Sequence, residues 1–519
     1  MYLRLENFDV SVAEHQQMLQ KHPVRFRLQV AAFSLLGLLI FGGVLGTGVL
    51  VLLLVVVLVL SLKGLLVLLK FLNVVWVLLI PVWGFLRIGW RTVASPSPMP
   101  NGRWIKPHEA PALFADLARM RQQLRGPKIH GVLLTEDFNA FAISRPLGGF
   151  WFLGLRRHYI GLGVPLIQTL SEAEAMAVVA HEYGHLSGHP SRFDSAIYRL
   201  RIFLLHMLDE ASRWKDWPSR LLVRVLNWYV PRFDVLVFAL CRNAEYGADR
   251  ASARLVSPHT AADALMRFSI AAAYLQEDFW QKIYARVEQE PQPEARPWFE
   301  LPALIRCDPD REISMRILRR RLAQETNYFD THPALSDRLQ AMGLDPDQIL
   351  IEGRSIAPVA DQTAAEAWFG DHLSEVLAEF DQRWRDGIAT QWQERHQELT
   401  QSKARRMELE ANSSRSVAEE WELLLFRIQA DELEDDDAAV DAFFGLHPDH
   451  APAVLAYGRR WLGEQPQKAI TAIHRAMLLQ PDLAPAAAAL LASYWEDRDT
   501  HRHALYKLMA SHLGGEPHV

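Results

Sequence analysis

The chain contains two histidines and a glutamate with the spacing of a metal site, in the stretch His181-Glu182-Tyr183-Gly184-His185. In a helix, side chains four residues apart share a face, so both imidazoles can reach one zinc ion. Glu182 would then lie beside the water on that ion, where it can act as a general base. An H-E-x-x-H pattern also occurs by chance in long chains, so the interpretation requires further ligands.

The sequence around this motif predicts the helix that must carry it. Ser171 and Glu174 have the spacing of a capping box, and residues 173–180 form an apolar run that favours a helix. Gly188 and Pro190 then provide a stop signal. The two histidines are therefore expected on one face of one helix.

A catalytic zinc site with two histidines needs at least one more protein ligand. In the H-E-x-x-H-x-x-G-x-x-H arrangement, Gly188 would fit, but the final position is Ser191. His189 comes two residues too early and lies on a different helical face. We therefore predict that His189 is a surface or capping residue.

A stronger candidate ligand lies later in the chain, where Glu245 and Asp249 are one helical turn apart. Glu245 can bind the zinc, while Asp249 can accept the free N–H of a ligating histidine and fix its tautomer. The spacing E-x-x-x-D is also common on solvated helix faces. The upstream H-E-x-x-H and the small residues at 251–253 favour the ligand interpretation.

The region between residues 92 and 170 predicts a small sheet beside the zinc helix. Prolines at 96–100 and Gly102 indicate a linker. The predicted elements that follow are a helix at 108–124 and strands at 128–134, 150–155 and 158–162.

Asn139, Ala140, Phe141 and Ala142 are candidate substrate-binding residues in this region. The free edge of a short strand can pair with an extended peptide and lay the scissile bond over the metal. The alternative is that these four residues are a core strand with a turn residue, and the sequence alone does not separate the two.

Two apolar stretches near the start of the chain predict a transmembrane hairpin. Residues 28–62 carry no charge, and one helix of that length would be roughly 50 Å, longer than the roughly 30 Å hydrocarbon core. Residues 64–86 contain only Lys70 as a charged residue. The turn is expected near residues 61–64, with a break at the glycines of 42–48 as a variant. A hairpin buried in a soluble core is the alternative.

Basic residues flank both apolar stretches: Lys21, Arg25 and Arg27 before the first, and Arg87, Arg91, Arg103 and Lys106 after the second. Both flanks are therefore predicted to be cytoplasmic, and the number of crossings even, although Lys63 and Lys70 argue the other way. We expect a multi-pass protein of the cell (inner) membrane, with the lipid bilayer as a partner and the catalytic domain in the cytoplasm.

Composition excludes some other classes. The formal charge of −6 over 519 residues gives no reason to expect nucleic acid as a partner. The two cysteines, Cys241 and Cys307, form neither a disulfide framework nor a cysteine-based zinc site, and suit a reducing compartment. A single disulfide between them remains the alternative.

The C-terminal third predicts helices only. Residues 363–411 have long-helix periodicity, and the stretch 446–452 recurs at 479–485, an offset close to the period of tetratricopeptide helix pairs. Such pairs commonly present a concave face to peptides or partner proteins. The alternative is a plain helical cap on the catalytic domain.

The order of these motifs carries a family resemblance. N-A-F-A at 139–142, H-E-Y-G-H at 181–185 and E-Y-G-A-D-R at 245–250, behind a membrane hairpin, resemble the M48 family of zinc metallopeptidases. That family includes the bacterial membrane heat-shock protease and the eukaryotic prenyl-protein protease. The resemblance covers roughly residues 105–345. It implies the following roles: zinc ligands His181, His185 and Glu245, general base Glu182, and Asp249 supporting a ligand.

The resemblance also points to His332 and Arg338, which match a late H-P…R motif whose histidine and arginine face the active site. His332 could stabilise the developing oxyanion, as could Arg338, or His332 could be a fourth zinc ligand. The alternative for His332-Pro333 is a helix-initiating turn. The chain departs from the heat-shock protease at residues 221–239, which charged residues and a proline interrupt. This stretch is predicted to be an amphipathic helix that packs or rests on the membrane.

We therefore expect a mainly α protein with an α+β, zincin-type catalytic domain. The predicted parts are a cytoplasmic segment (1–27), a transmembrane hairpin (28–91), a metallopeptidase domain (92–345), a helical linker (346–430) and tetratricopeptide-like helices (431–519). The expected function is zinc-dependent endopeptidase action on protein substrates, which the resemblance places in membrane protein quality control. The alternative is a helical-repeat interaction protein with minor or lost proteolysis. A prenyl-protein-type processing enzyme would need a chamber of many spans.

Overall fold

A computed structural model describes residues 14–60, 83–84, 87–88, 91, 99–146, 156–187, 192–307, 311–326, 332–351, 359–496 and 498–513. The chain divides into two compact units, one of residues 1–286 with 294–388 and one of residues 287–293 with 389–519. The mainly α architecture with one small sheet, expected from the sequence, is confirmed.

The first unit holds the sheet and most of the helices. Residues 14–21 are helical. The helices that follow are α1 (Pro23–Leu60), α2 (Pro111–Leu124), α3 (Val164–Ile167), α4 (Glu172–Leu186), α5 (Arg192–Ser212), α6 (Trp217–Leu255), α7 (Pro258–Tyr274), α8 (Trp280–Ala285), α9 (Pro297–Cys307), α10 (Arg311–Leu322), α11 (Leu335–Ala341), α12 (Pro346–Ile351) and α13 (Ala364–Phe369). A π-helical turn, Leu275–Phe279, joins α7 to α8.

Four strands form the sheet in the order β1-β2-β4-β3. Their bounds are β1 (Arg103–Ile105), β2 (Ile129–Thr135), β3 (Ala140–Pro146) and β4 (Arg156–Gly163). β2 and β4 run parallel, whereas β3 pairs antiparallel with β4, and among the described residues β3 lies at an edge of the sheet. The predicted strands at 128–134 and 158–162 correspond to β2 and β4. The predicted strand at 150–155 lies outside the described residues.

The main core joins the sheet to α2 and α4. Buried Val132 and Ile160 of the sheet pack with Val179 and Tyr183 of α4. The Tyr183 hydroxyl donates a hydrogen bond of 2.6 Å to the Pro127 carbonyl, which satisfies the one polar atom that this ring brings into the core. α4 is thus held against the sheet through its buried face.

The helix α6 is longer than the amphipathic segment predicted at 221–239, because it continues without a break through Pro231 to Leu255. Its first half packs with α1 and α5. Tyr229 stacks on Phe33 of α1, with ring centroids 5.3 Å apart, and a Cβ on Gly37 would lie 2.5 Å from the Tyr229 hydroxyl. One helix therefore connects this apolar cluster to Glu245 and Asp249.

Within the described residues, Pro23–Gly43 is the one helical segment long and apolar enough to cross a membrane. The variant prediction, a break at the glycines of 42–48, is wrong, since α1 runs through them as one helix of 38 residues. Intrahelical hydrogen bonds do not depend on side chains, so glycines alone need not end an apolar helix. The predicted turn at 61–64, and most of the stretch 64–86, lie outside the described residues.

The second unit is helical throughout its described residues. It contains the later part of α14 (Leu373–Ala411), then α15 (Val417–Gln429), α16 (Asp436–Leu446), α17 (Ala451–Trp461), α18 (Pro466–Leu479), α19 (Ala484–Trp495) and α20 (Thr500–Leu513). The two copies of the sequence repeat occupy equivalent places. Leu446 ends α16 before Ala451 begins α17, just as Leu479 ends α18 before Ala484 begins α19.

Candidate metal centre

The Glu245 carboxylate lies between the two histidine rings of the H-E-x-x-H helix. Its Oε2 is 3.3 Å from Nε2 of His181, and its Oε1 is 3.4 Å from Nε2 of His185. The two ring centroids are 5.0 Å apart, with the ring planes nearly perpendicular. α4 and α6 therefore bring together the three side chains that the sequence indicated as metal ligands.

His332 reaches the same carboxylate from the segment that precedes α11. Its Nδ1 lies 2.8 Å from Oε2 of Glu245, and its side chain is 55% exposed. Ligand atoms of His181, Glu245 and His332 all lie within 4.8 Å of one another. His185 lies outside this group of three but approaches the other Glu245 oxygen, so Glu245 contacts all three histidines.

Asp249 contacts the side of the His181 ring that faces away from Glu245. Its Oδ1 lies 2.9 Å from Nδ1 of His181, which directs the other ring nitrogen, Nε2, toward Glu245. Arg338 donates to both Asp249 oxygens, from Nε at 2.9 Å and from Nη2 at 2.6 Å. The structure thus places the Arg338 guanidinium on Asp249, at a distance from which its charge also lowers the pKa of Glu182.

A glycine lets α4 and α6 approach closely enough to form this cluster. A Cβ on Gly184 would lie 3.1 Å from Cα of Ala248 and 3.4 Å from Cβ of Ala251, tighter than ordinary van der Waals contact. Beside it, the buried Ser252 hydroxyl donates 2.7 Å to the Ala177 carbonyl. The small residues on α6 thus set the distance between Glu245 and the histidines.

At α4 itself, the sequence explains the helix start. The Ser171 side chain accepts from the Glu174 backbone N–H, and the Glu174 carboxylate accepts from the Ser171 N–H at 2.8 Å. The predicted capping box is present. His189, predicted to be a surface or capping residue, lies outside the described residues.

Burial and hydrogen bonds shift the pKa values of the three candidate ligands in different directions. Burial acts to raise the pKa of the Glu245 carboxyl, but hydrogen bonds from His181 and His332 hold it well below its usual range. Burial would lower the pKa of His181, but the bonds to Asp249 and Glu245 raise it to about 9. Burial and the charge of His181 lower the pKa of His185 to about 4. Glu245 and His185 therefore have the forms that bind metals, an ionised carboxylate and a neutral imidazole, whereas His181 has to lose a proton when an ion binds.

Glu182 lies on the wall of the adjoining cavity and is suited to proton transfer. Burial is the main reason that its pKa is raised, with a further contribution from the charge of Glu245. A carboxyl group with a raised pKa is a better base for a water proton than an exposed glutamate.

The cavity beside the cluster has a volume of about 1370 Å³. Asn139, Ala140, Phe141 and Ala142 line it together with Glu182, His185 and His332. Five further lining residues gave no signal in the sequence: Phe138, Phe268, Tyr198, Arg156 and Arg199. Phe138 directly precedes the N-A-F-A motif, whereas the other four reach the cavity only through tertiary packing.

The donor set fits a zinc ion. Two imidazole Nε2 atoms and one carboxylate are a common ligand set of catalytic zinc sites. Asp249, hydrogen-bonded to the far nitrogen of His181, is the kind of partner that orients such ligands.

These features define the class of the domain: an α+β metallopeptidase with its metal donors on two packed helices. Residues 110–343 match the model of peptidase family M48, and the domain they form belongs to that family. No curated protein and no solved structure matches the chain.

Proposed function

We propose that this protein is a membrane-anchored, zinc-dependent endopeptidase. The observation that carries the proposal is the convergence of His181, His185 and Glu245, from two helices, next to Glu182 in a cavity large enough for a peptide. Membership in a metallopeptidase family gives the reaction class.

The residues of the site have distinct roles in this proposal. Zinc supplies a Lewis acid for the scissile carbonyl and lowers the pKa of a bound water. Glu182 takes the proton of the attacking water and returns it to the leaving amine, so that no net proton is consumed. Asp249 keeps Nε2 of His181 free for the metal, and Arg338 holds Asp249 in position.

His332 is the most accessible of the four donors, which supports a role toward the substrate. Its ring donates to Glu245 from the cavity side and is more than half exposed. We assign it to the developing oxyanion, where one hydrogen-bond donor contributes strongly to the rate.

The edge strand β3 supports an extended peptide substrate. The Gly163 N–H donates to the Asn139 carbonyl at 2.8 Å, and the β3–β4 register pairs Ala142 with Ile160. In an antiparallel ladder, hydrogen-bonded residue pairs alternate with pairs that are not hydrogen-bonded. Ala140 and Ala142 belong to the second kind, so their N–H and C=O groups point away from β4. The Ala140 N–H is taken by the Asn139 side chain at 2.9 Å. Ala142 is thus the residue best placed to pair with a peptide backbone.

Membrane anchoring is supported by the exposed apolar side chains of α1, such as Val24, Leu28 and Leu39. Arg87 stacks on Trp214, 3.6 Å from the ring centroid, and bonds Asp216 at the start of α6, where Trp217 is exposed. Tryptophan and arginine at the end of an apolar segment are typical of a membrane interface. We propose a multi-pass protein of the inner membrane, with its site in the cytoplasm and protein substrates drawn from membrane quality control. The C-terminal helices are proposed to bind a protein partner.

The test is Glu182→Gln in the full-length protein, assayed on casein with and without a chelator. We expect the variant to keep one zinc per chain and to lose activity by about 100-fold or more, since the base is removed while the ligands stay. Glu172→Gln, on the exposed first turn of the same helix, is the matched control and should behave as wild type. An active Glu182→Gln protein, or a wild type that binds no metal and cleaves nothing, would overturn the proposal in favour of a binding protein.

A further inference from the structure

Two arginines that lie near each other line the cavity in addition to the metal donors. Arg156 begins β4, and Arg199 is on α5, and both line the cavity together with Ser144. Burial lowers the pKa of both guanidinium groups, and the charge of Arg199 lowers that of Arg156 further. The cavity lining therefore contains two neighbouring positive charges.

Arg199 has no acidic side chain within ion-pair distance among the described residues. Two other partly buried arginines of the same unit have such a partner, since Arg201 is paired with Asp234 and Arg338 with Asp249. A partly buried positive charge without a counter-ion is unfavourable, and a ligand carboxylate would relieve that cost.

Arg156 also marks one end of the free edge of β3. Ser144 belongs to the same alternating set as Ala140 and Ala142, so its C=O points away from β4. Arg156 donates to that carbonyl from Nη2 at 2.7 Å and to the Ser144 hydroxyl from Nε at 2.7 Å. The guanidinium thus lies where a peptide strand paired with Ala142 would continue.

The strand geometry indicates which substrate residue would meet these charges. One face of the sheet carries the side chains of Ala142, Ser144 and the β4 residues paired with them. The Arg156 side chain lies on the same face. A peptide residue opposite Ser144 would direct its side chain to that same face, two residues along from the residue opposite Ala142.

We propose that Arg156 and Arg199 form a subsite for a substrate carboxylate, at the Ser144 end of the free edge of β3. This subsite rests on the proposed endopeptidase function and specifies its substrate class. The carboxylate belongs either to an aspartate or glutamate side chain or to the C-terminus of the bound peptide, and both present the same group to two guanidinium ions.

Binding tests the subsite without requiring cleavage. The affinity of full-length, zinc-loaded Glu182→Gln protein is measured for labelled peptides in which glutamate or glutamine occupies each position in turn. A second peptide set ends at each position with a free or an amidated C-terminus. We expect glutamate, or the free C-terminus, to bind about ten-fold more tightly at one position. The peptide set that shows the effect identifies the source of the carboxylate.

Charge variants of Arg199 in the same background complete the test. Arg199→Met should reduce the preference to about two-fold or less, and Arg199→Glu should reverse it, so that glutamine or the amidated C-terminus binds more tightly. Arg220→Met, which replaces an exposed arginine of α6 outside the cavity, should keep the ten-fold preference. Equal affinities at every position, or a preference that survives Arg199→Met, would overturn the subsite. Failure of the wild-type protein to cleave any peptide would instead overturn only the proposed function.

Discussion

Asp249 bonds the ring nitrogen of His181 that faces away from Glu245, at 2.9 Å. One helical turn of α6 thus carries both a candidate metal ligand and the carboxylate that orients another ligand on α4. Arg338 then neutralises Asp249 through two hydrogen bonds. Contacts thus run in sequence from Glu245 through His181 and Asp249 to Arg338, so these residues form one connected set.

Replacing Asp249 with asparagine should weaken metal binding while leaving all the ligands in place. An asparagine keeps the shape but loses the charge that fixes the His181 tautomer, so we expect zinc affinity to fall by about 10- to 100-fold. Competition with a chromophoric chelator measures the change. Asp209→Asn, in an exposed pair with Arg213, is the control. An unchanged affinity would show that Asp249 does not orient the ligand.

Replacing His332 with alanine separates its two possible roles. If it acts on the oxyanion, zinc content stays near one per chain while kcat/KM falls by about 100-fold. Metal analysis and peptide kinetics on the same preparation supply both numbers. Loss of zinc as complete as that in Glu245→Ala would mean instead that His332 is a ligand.

Enlarging Gly184 should separate α4 from α6. The valine side chain of Gly184→Val would meet Ala248 and Ala251, where even a Cβ is tightly placed. We expect a loss of stability of about 1–3 kcal/mol and a weaker zinc affinity, because Glu245 moves away from both histidines. Gly247→Val, on the neighbouring turn of α6 where a Cβ meets only Arg250 at 3.9 Å, is the control. Similar effects of both substitutions would argue against a special contact at Gly184.

Removing the metal should lower the thermal stability of the first unit. A ligand that binds only the folded state stabilises it by about 2.7 kcal/mol at a concentration 100-fold above its Kd. Thermal unfolding with chelator, and again after zinc is restored, checks this. Glu182→Gln should show the wild-type shift, whereas a shift in Glu245→Ala would place the ion elsewhere.

The parts of the site that lie within one helix could be predicted from the sequence, because they depend only on the spacing of residues along that helix. The capping box at Ser171 and the i, i+4 spacing of His181 and His185 are properties of one helix. Glu245 and Asp249 follow the same rule on α6. The pairing of the two helices was inferred only from motif order, and the structure supplies its physical cause in the contact at Gly184.

Residues that reach the site through packing gave no such signal. Arg199 lies on the same helix as Arg201, which pairs with Asp234, so only the three-dimensional structure shows that Arg199 has no acidic partner among the described residues. Arg338 matched a motif, but its bond to Asp249 depends on how α11 approaches α6. The length of α6 was also missed, because Pro231 and the interspersed charges suggested a shorter helix.

The convergence of the three ligands on one zinc ion is tested by an anomalous difference map at the zinc absorption edge, from crystals of the full-length protein. We expect one peak about 2.0–2.2 Å from Nε2 of His181, from Nε2 of His185 and from a carboxylate oxygen of Glu245. A peak outside this cluster, or a zinc-loaded protein in which the Glu245 carboxylate does not touch the ion, would contradict it.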